Sequence, residues 1–245
     1  MLVDTLDKLH EVIPDLLACM DPCVDTETTG LDAFGRPGRD RDRVIGISVD
    51  TGAEAYYLPF RHEQGTNLPE GLLGPDGFLG RYLSDEHRTY LGFNYGFDLH
   101  MLAAEGIAIP TKFEDAMLAL HLVNENEPSF KLKEVCDRYG IGDGSLQESV
   151  LEEKVYSECQ RLGMECSRSG RAEHKSRMCV LPPSDVEPYA CDDVRLTRQL
   201  MGYLREALRA QGLEEIFRQA CYYDYVVVQM EQRGMHVDRP MLERY

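Results

Sequence analysis

Apolar positions at residues 5–18 recur at helical spacing. Leu6, Leu9, Val12, Ile13, Leu16 and Leu17 share one stripe, with Pro14 as a breaker inside it. Met20 to Asp25 predicts a short buried strand, and a loop rich in Gly and Arg follows from Leu31 to Asp42. Residues 44–50 alternate, with Ile45, Ile47 and Val49 set against Gly46 and Ser48. A turn at Thr51-Gly52 then leads to a second strand from Glu54 to Phe60. This is the pattern of an antiparallel hairpin beside the first strand. Loop, a short helix near 77–83 and a strand at 89–93 come next. The 3.6 period then dominates, predicting helices at about 95–105, 115–122, 131–139, 146–160, 184–209 and 212–233. Strands cluster early and helices late, so the economical architecture is α/β, one mixed sheet flanked by helices.

The 245 residues suit one full domain with a small appendage. No stretch approaches the ~18–20 apolar residues needed to span a bilayer. The start, Met1-Leu2-Val3-Asp4, has no basic segment of the secretory type. Eight cysteines are scattered with no CxxC, which points to a reduced, cytoplasmic protein. A formal net charge of −17 excludes a protein held on nucleic acid by a broad basic face. Any such function must be local, with divalent cations supplying the positive charge.

Three carboxylate motifs stand out. The first is Val24-Asp25-Thr26-Glu27-Thr28-Thr29-Gly30, in which Asp25 and Glu27 face the same way in a strand. Such close acids repel unless a cation lies between them. With 43 acids in 245 residues, chance alone gives about seven acid-x-acid pairs, so this motif is weak by itself. The second is Leu91-Gly92-Phe93-Asn94-Tyr95-Gly96-Phe97-Asp98. Asn94 occupies a favoured N-cap position, and Asp98 sits one turn into the helix, pointing back to the strand end. Alone, Asp98 reads first as an acid complementing the helix dipole. The third is Ser184-Asp185-Val186-Glu187-Pro188-Tyr189-Ala190-Cys191-Asp192-Asp193. Ser184 and Glu187 have capping-box spacing, and Tyr189 and Asp193 stack at i and i+4. Alone, these would be a core tyrosine and a surface acid.

Asp25-x-Glu27, Asn94-x-x-x-Asp98 and Tyr189-x-x-x-Asp193, in that order, resemble the DEDD exonuclease superfamily. The tyrosine is that of the DEDDy branch; the histidine branch would place His where Pro188 stands. Among its members the chain most resembles the proofreading domain of family A (bacterial polymerase I type) DNA polymerases, over about residues 20–200. Phe113 to Leu118 and Lys131 to Val135 also match. The resemblance implies a ribonuclease H-like fold and an exonuclease domain over 1–210. It makes 211–245 a helical segment like the start of a family A polymerase domain, with Gly234 to Asp238 as the entry segment.

It also implies a function: 3′–5′ hydrolysis of single-stranded DNA ends, releasing nucleoside 5′-monophosphates, as proofreading for a polymerase domain in cis or in trans. Two divalent ions, Mg or Mn, would be held by Asp25, Glu27, Asp98 and Asp193, with Asp25 between both. Tyr189 would orient the attacking water. Thr26 and Asn94 would contact the last nucleotide and Leu31 would pack on the terminal bases, with ordinary loop packing as the alternative for Leu31. Asp115 is expected to act as a local N-cap. Arg161, Arg168, Arg171, Lys175 and Arg177 against Glu165 and Glu173 form a basic stretch that either guides the strand or is simply solvated. Cys159, Cys166, His174 and Cys179 are zinc-type ligands whose spacings match no compact knuckle. Two functions compete with the first: a ribonuclease D-like RNA 3′ exonuclease, and a catalytically inactive exonuclease-like scaffold.

Overall fold

The computed structural model describes residues 1–35, 40–142, 144–167, 171–242 and 244. Five strands form one sheet in the order β3-β2-β1-β4-β5: β1 is Cys23–Thr28, β2 Val44–Asp50, β3 Ala55–Pro59, β4 Tyr90–Gly92 and β5 Phe113–Asp115. β1 pairs antiparallel with β2, and β2 with β3, while β1–β4 and β4–β5 are parallel. The hairpin expected from the alternation is present, and the mixed sheet flanked by helices is the ribonuclease H-like α/β fold. β2 is buried along its whole length, including Gly46 and Ser48. Its alternation therefore does not mark a solvent face. Gly46 is small because a Cβ there would run into the Tyr57 hydroxyl on β3.

The helices are α1 (Leu6–Ala18), α2 (Phe78–Leu83), α3 (Tyr95–Ala104), α4 (Ala116–Val123), α5 (Leu132–Tyr139), α6 (Gly144–Arg161), α7 (Arg171–Ser176), α8 (Pro183–Gln211), α9 (Glu214–Arg233) and α10 (Arg239–Leu242). α1 buries Leu9, Val12 and Leu16 and is capped by Thr5, whose side chain accepts from the Lys8 N–H at 3.3 Å. The helix runs through Pro14 because the apolar stripe on both sides packs on the core. α8 is the longest helix and packs across β1, β2, β3 and β4 as well as α4 and α6. It carries the third motif over the end of β1.

Three local expectations are corrected. β1 starts later than the predicted strand and runs on to Thr28, because its acid-bearing end is enclosed rather than exposed. The Ser184/Glu187 capping box does not form. α8 begins at Pro183, after Pro182, with no side-chain cap, so Pro188 falls beyond its first turn. β5 and α7 were not predicted: β5 spans only three residues, too few to show a period, and α7 lies within the basic stretch.

Candidate active site

The parallel pairing of β1 with β4 is confined to Cys23 and Leu91. Past that point the strands diverge, and the Thr26 N–H turns to a side chain. It donates to Asp98 Oδ1 at 2.8 Å, and the Thr26 hydroxyl donates to the same oxygen at 2.6 Å. Asp98 is fixed in turn by the start of α3. Asn94 precedes this helix with φ 57 and ψ 44, the left-handed region that Asn tolerates better than most residues. Its side chain does not cap the helix. Asp115 does that work from the end of β5, accepting from the Asn94 N–H at 3.0 Å and the Tyr95 N–H at 2.8 Å. Asp115 also accepts from Met117 N–H at 2.7 Å, so one buried carboxylate caps both α3 and α4.

Asp25, Glu27 and Asp193 each offer a carboxylate oxygen, and these oxygens all lie within 4.8 Å of one another. Strand alternation places the first two on one face, and α8 lowers Asp193 onto them. Their carboxyls are strongly perturbed. Burial, then the charges of Asp98, Glu27 and Asp193, holds Asp25 well above the usual carboxylate range. Burial, then Asp193, pushes Glu27 up to about 8. Burial also lifts Asp98, to about 7, against the pull of its two Thr26 bonds. Tyr189 is only 4% exposed, and burial with the neighbouring Asp193 raises its phenol far above the ordinary value.

This donor set fits a divalent cation. Its atoms are hard oxygens, suited to Mg²⁺ or Mn²⁺, and Glu27 Oε1 is buried with no hydrogen-bond partner. A cation between the three carboxylates would answer both the orphaned oxygen and the repulsion. Among the described residues this is the one group of three or more such side chains close enough to hold an ion. Among the described residues Cys159, Cys166, His174 and Cys179 do not form another. Asp98 stands outside the three-oxygen group but beside it.

All eight residues singled out from the sequence line one cavity of about 410 Å³: Asp25, Thr26, Glu27, Leu31, Asn94, Asp98, Tyr189 and Asp193. Leu31 is 81% exposed at its rim. Phe93, Phe97, Met117 and Phe130 supply an apolar wall of the kind that meets a base or sugar face.

Two lysines in the site were not singled out. Lys133, from α5, is 7% exposed and places Nζ 3.0 Å from Asp193 Oδ1 and 3.8 Å from the Tyr189 ring centroid. Lys175, from α7, pairs with Glu148 Oε1 at 2.8 Å and lies 5.6 Å from the same ring. The signal for Lys133 was its position on the inward stripe with Val135 and Cys136, where lysine is unusual unless paired. Lys175 was seen only as part of a basic stretch. Of that stretch, Arg161 is paired with Glu158 and the Arg177 guanidinium donates to the Glu165 carbonyl. Arg168 and the side chains of Arg171 and Glu173 lie outside the described residues.

Among curated proteins, the chain is 25% identical over 238 residues to the DNA polymerase DpoZ of Salmonella phage PMBT28, covering 95% of this chain and 34% of that protein. It spans about a quarter to a third of the length of the curated polymerases it matches. Among solved structures, Brucella melitensis NrnC with bound Mg²⁺ aligns with a TM-score of 0.57 and 20% identity over 88% of this chain and 87% of that one. Escherichia coli RNase D, an exoribonuclease involved in structured RNA processing, aligns at 0.59 and 15% over 94% and 50%. By fold the chain is also similar to a polymerase, the POL domain of Pol1 from M. smegmatis, with a TM-score of 0.59 and 16% identity over 100% of this chain and 34% of that one. The model of the 3′–5′ exonuclease family matches residues 1–209, and by that match and this site the chain belongs to the 3′–5′ exonuclease family.

Proposed function

We propose that the chain removes nucleotides one at a time from the 3′ end of a single strand, with divalent metal held by Asp25, Glu27 and Asp193 and, alongside them, Asp98. The observation that carries this reading is the convergence of three carboxylates within 4.8 Å around an unpartnered Glu27 oxygen, beneath Tyr189. Bound Mg²⁺ or Mn²⁺ supplies the charge that an attacking water and a departing 3′ oxygen need. Tyr189 stays protonated at neutral pH, so its hydroxyl positions the water and does not serve as the base. Thr26 and Asn94 hold the terminal nucleotide, and Leu31 covers its base from the rim.

The sugar divides two readings. The polymerase relatives support DNA, with proofreading for a polymerase in cis or in trans and 211–245 as the segment leading into it. The RNA reading, a ribonuclease D-like trimming enzyme, draws on more of the likenesses. The exoribonuclease RNase D is matched over half its length, whereas the curated polymerases share about a third of theirs or less. Among the described residues no helix is long and apolar enough to cross a membrane, and the scattered cysteines, with no CxxC, support a reducing, cytoplasmic setting.

Matched 5′-labelled DNA and RNA oligonucleotides incubated with Mg²⁺ or Mn²⁺ test the proposal. A ladder shortening from the 3′ end is expected, abolished in Asp25→Ala with the circular dichroism spectrum unchanged. RNA shortened faster than DNA supports the trimming reading, and the reverse supports proofreading. Full activity in Asp25→Ala would refute the assignment of this site, and no cleavage of either strand by the intact protein would leave the inactive-scaffold reading.

A further inference from the structure

We infer that Lys133 is a positioning residue of this site, clamping Asp193 and Tyr189 with one buried ammonium; the inference rests on the nuclease reading. Its Nζ is buried and makes no hydrogen bond to any other group. Its near neighbours are the Asp193 carboxylate at 3.0 Å and the face of the Tyr189 ring at 3.8 Å. These two residues are the working side chains of the third motif, one turn apart on α8. The contact with the ring is of the cation–π kind, which strengthens when desolvated. Lysine is rarely buried without a purpose of this sort, because its charge must be compensated.

The geometry divides Asp193 between two partners. Its Oδ1 is buried on the Lys133 side, while the carboxylate also lines the cavity shared with Asp25 and Glu27. Lys133 itself lines a second cavity of about 510 Å³, which shares Asp193 and Lys175 with the first and is bordered by Glu148, Asp137 and Lys131. The ammonium therefore reaches Asp193 from this second cavity and does not line the first. It holds one oxygen, leaves the carboxylate directed at the metal site, and keeps the Tyr189 ring from tilting. It touches neither substrate nor the reacting atoms.

Lys133→Met tests this, since methionine keeps an unbranched side chain of similar bulk and removes only the charge. Mn²⁺ affinity is read by electron paramagnetic resonance and turnover by release of mononucleotide from a labelled strand. Without the ammonium, Asp193 gives its whole charge to the ion, so Mn²⁺ binds tighter by ~3–10-fold. The geometry is lost, so kcat falls by at least ~30-fold while KM stays within ~3-fold. Tighter metal with slower turnover is a split that a general loosening of the fold would not produce. Lys133→Gln, which keeps a donor without the charge, carries the same expectation and serves if the methionine variant does not fold. A kcat within ~3-fold of the unchanged protein, or Mn²⁺ affinity falling together with kcat, overturns the assignment. Should the unchanged protein neither bind Mn²⁺ nor cleave, the nuclease reading itself fails, and Lys133 loses its role with it.

Discussion

Glu27→Gln is expected to stabilise the metal-free protein progressively as pH rises from 5 to 8. The Glu27 carboxyl sits at about 8 in the folded chain, from an ordinary value of 4.5, because it is buried and faces Asp193. Below pH 4.5 both folded and unfolded chains carry the proton, and the group makes no difference. Between 4.5 and 8 the unfolded chain gives the proton up while the folded chain retains it. The unfolded state then binds fewer protons, so stability is lost as pH rises through this window. A gap of about 3.5 pH units at roughly 1.4 kcal/mol each amounts to on the order of 5 kcal/mol. In a domain of this size each kcal/mol moves Tm by roughly 2–4 °C, so the cumulative effect is about 10–20 °C.

The glutamine variant removes the titration but retains the shape. Its buried amide carries its own desolvation cost, about 1–3 kcal/mol, which does not change with pH. The telling quantity is therefore the slope of the difference in Tm between variant and unchanged protein, measured by calorimetry in EDTA at pH 5, 6, 7 and 8. His62, whose burial lowers its pKa, adds stability as pH rises through the same range, but equally in both proteins, so it cancels. Adding Mn²⁺ at pH 8 should raise the Tm of the unchanged protein and leave the variant nearly unmoved. A Tm difference that stays constant or shrinks between pH 5 and 8 would show that the acids do not repel one another, and the electrostatic case for a metal site would fall.

Asp115→Ala should destabilise the fold by about 2–4 kcal/mol in urea titrations, since it strips the cap from two helices at once. It should also cut kcat, because the first turn of α3 carries Asp98; stability unchanged within 0.5 kcal/mol, about the scatter of ordinary surface changes, would contradict the double cap. Thr26→Val keeps the backbone N–H on Asp98 Oδ1 but removes the hydroxyl at 2.6 Å. Single-turnover rates about tenfold lower, with Tm little changed, are expected, and an unaltered rate would mean that the hydroxyl does not hold Asp98 in its working position.

The sheet and the longer helices were legible because their periods survive in the sequence. β1 was read as Met20 to Asp25, but it runs on to Thr28, and Glu27 is 5% exposed, enclosed with Asp25 and Asp193. Asn94 was read as a cap, but it makes a left-handed turn ahead of α3 and Asp115 caps in its place. The candidate site was legible for a different reason. Asp25, Glu27, Asp98, Tyr189 and Asp193 are weak signals singly, but their order is specific, and the fold brings them to one cavity. Lys133 was missed although it shares the inward stripe of α5, because a lysine on a helix reads as solvated until Asp193 and Tyr189 are seen beside it.

A chain of formal net charge −17 that takes a polyanion must bind it with little help from its surface. Among the described residues lining the catalytic cavity, Lys175 is the one basic side chain, and it is already engaged with Glu148. Attraction at the site must then come mainly from bound metal, with stacking on Leu31 and the phenylalanine wall holding the bases. For single strands the slope of log affinity against log salt is about −0.7 for each phosphate neutralised by the protein. One or two such contacts give a slope of roughly −1 for KM-derived affinity measured in KCl at saturating Mg²⁺. A broad basic track would give a slope several times steeper. A slope steeper than about −3 would mean that cations beyond this cavity carry the strand, and that the acid cluster with its metal is not what draws the substrate in.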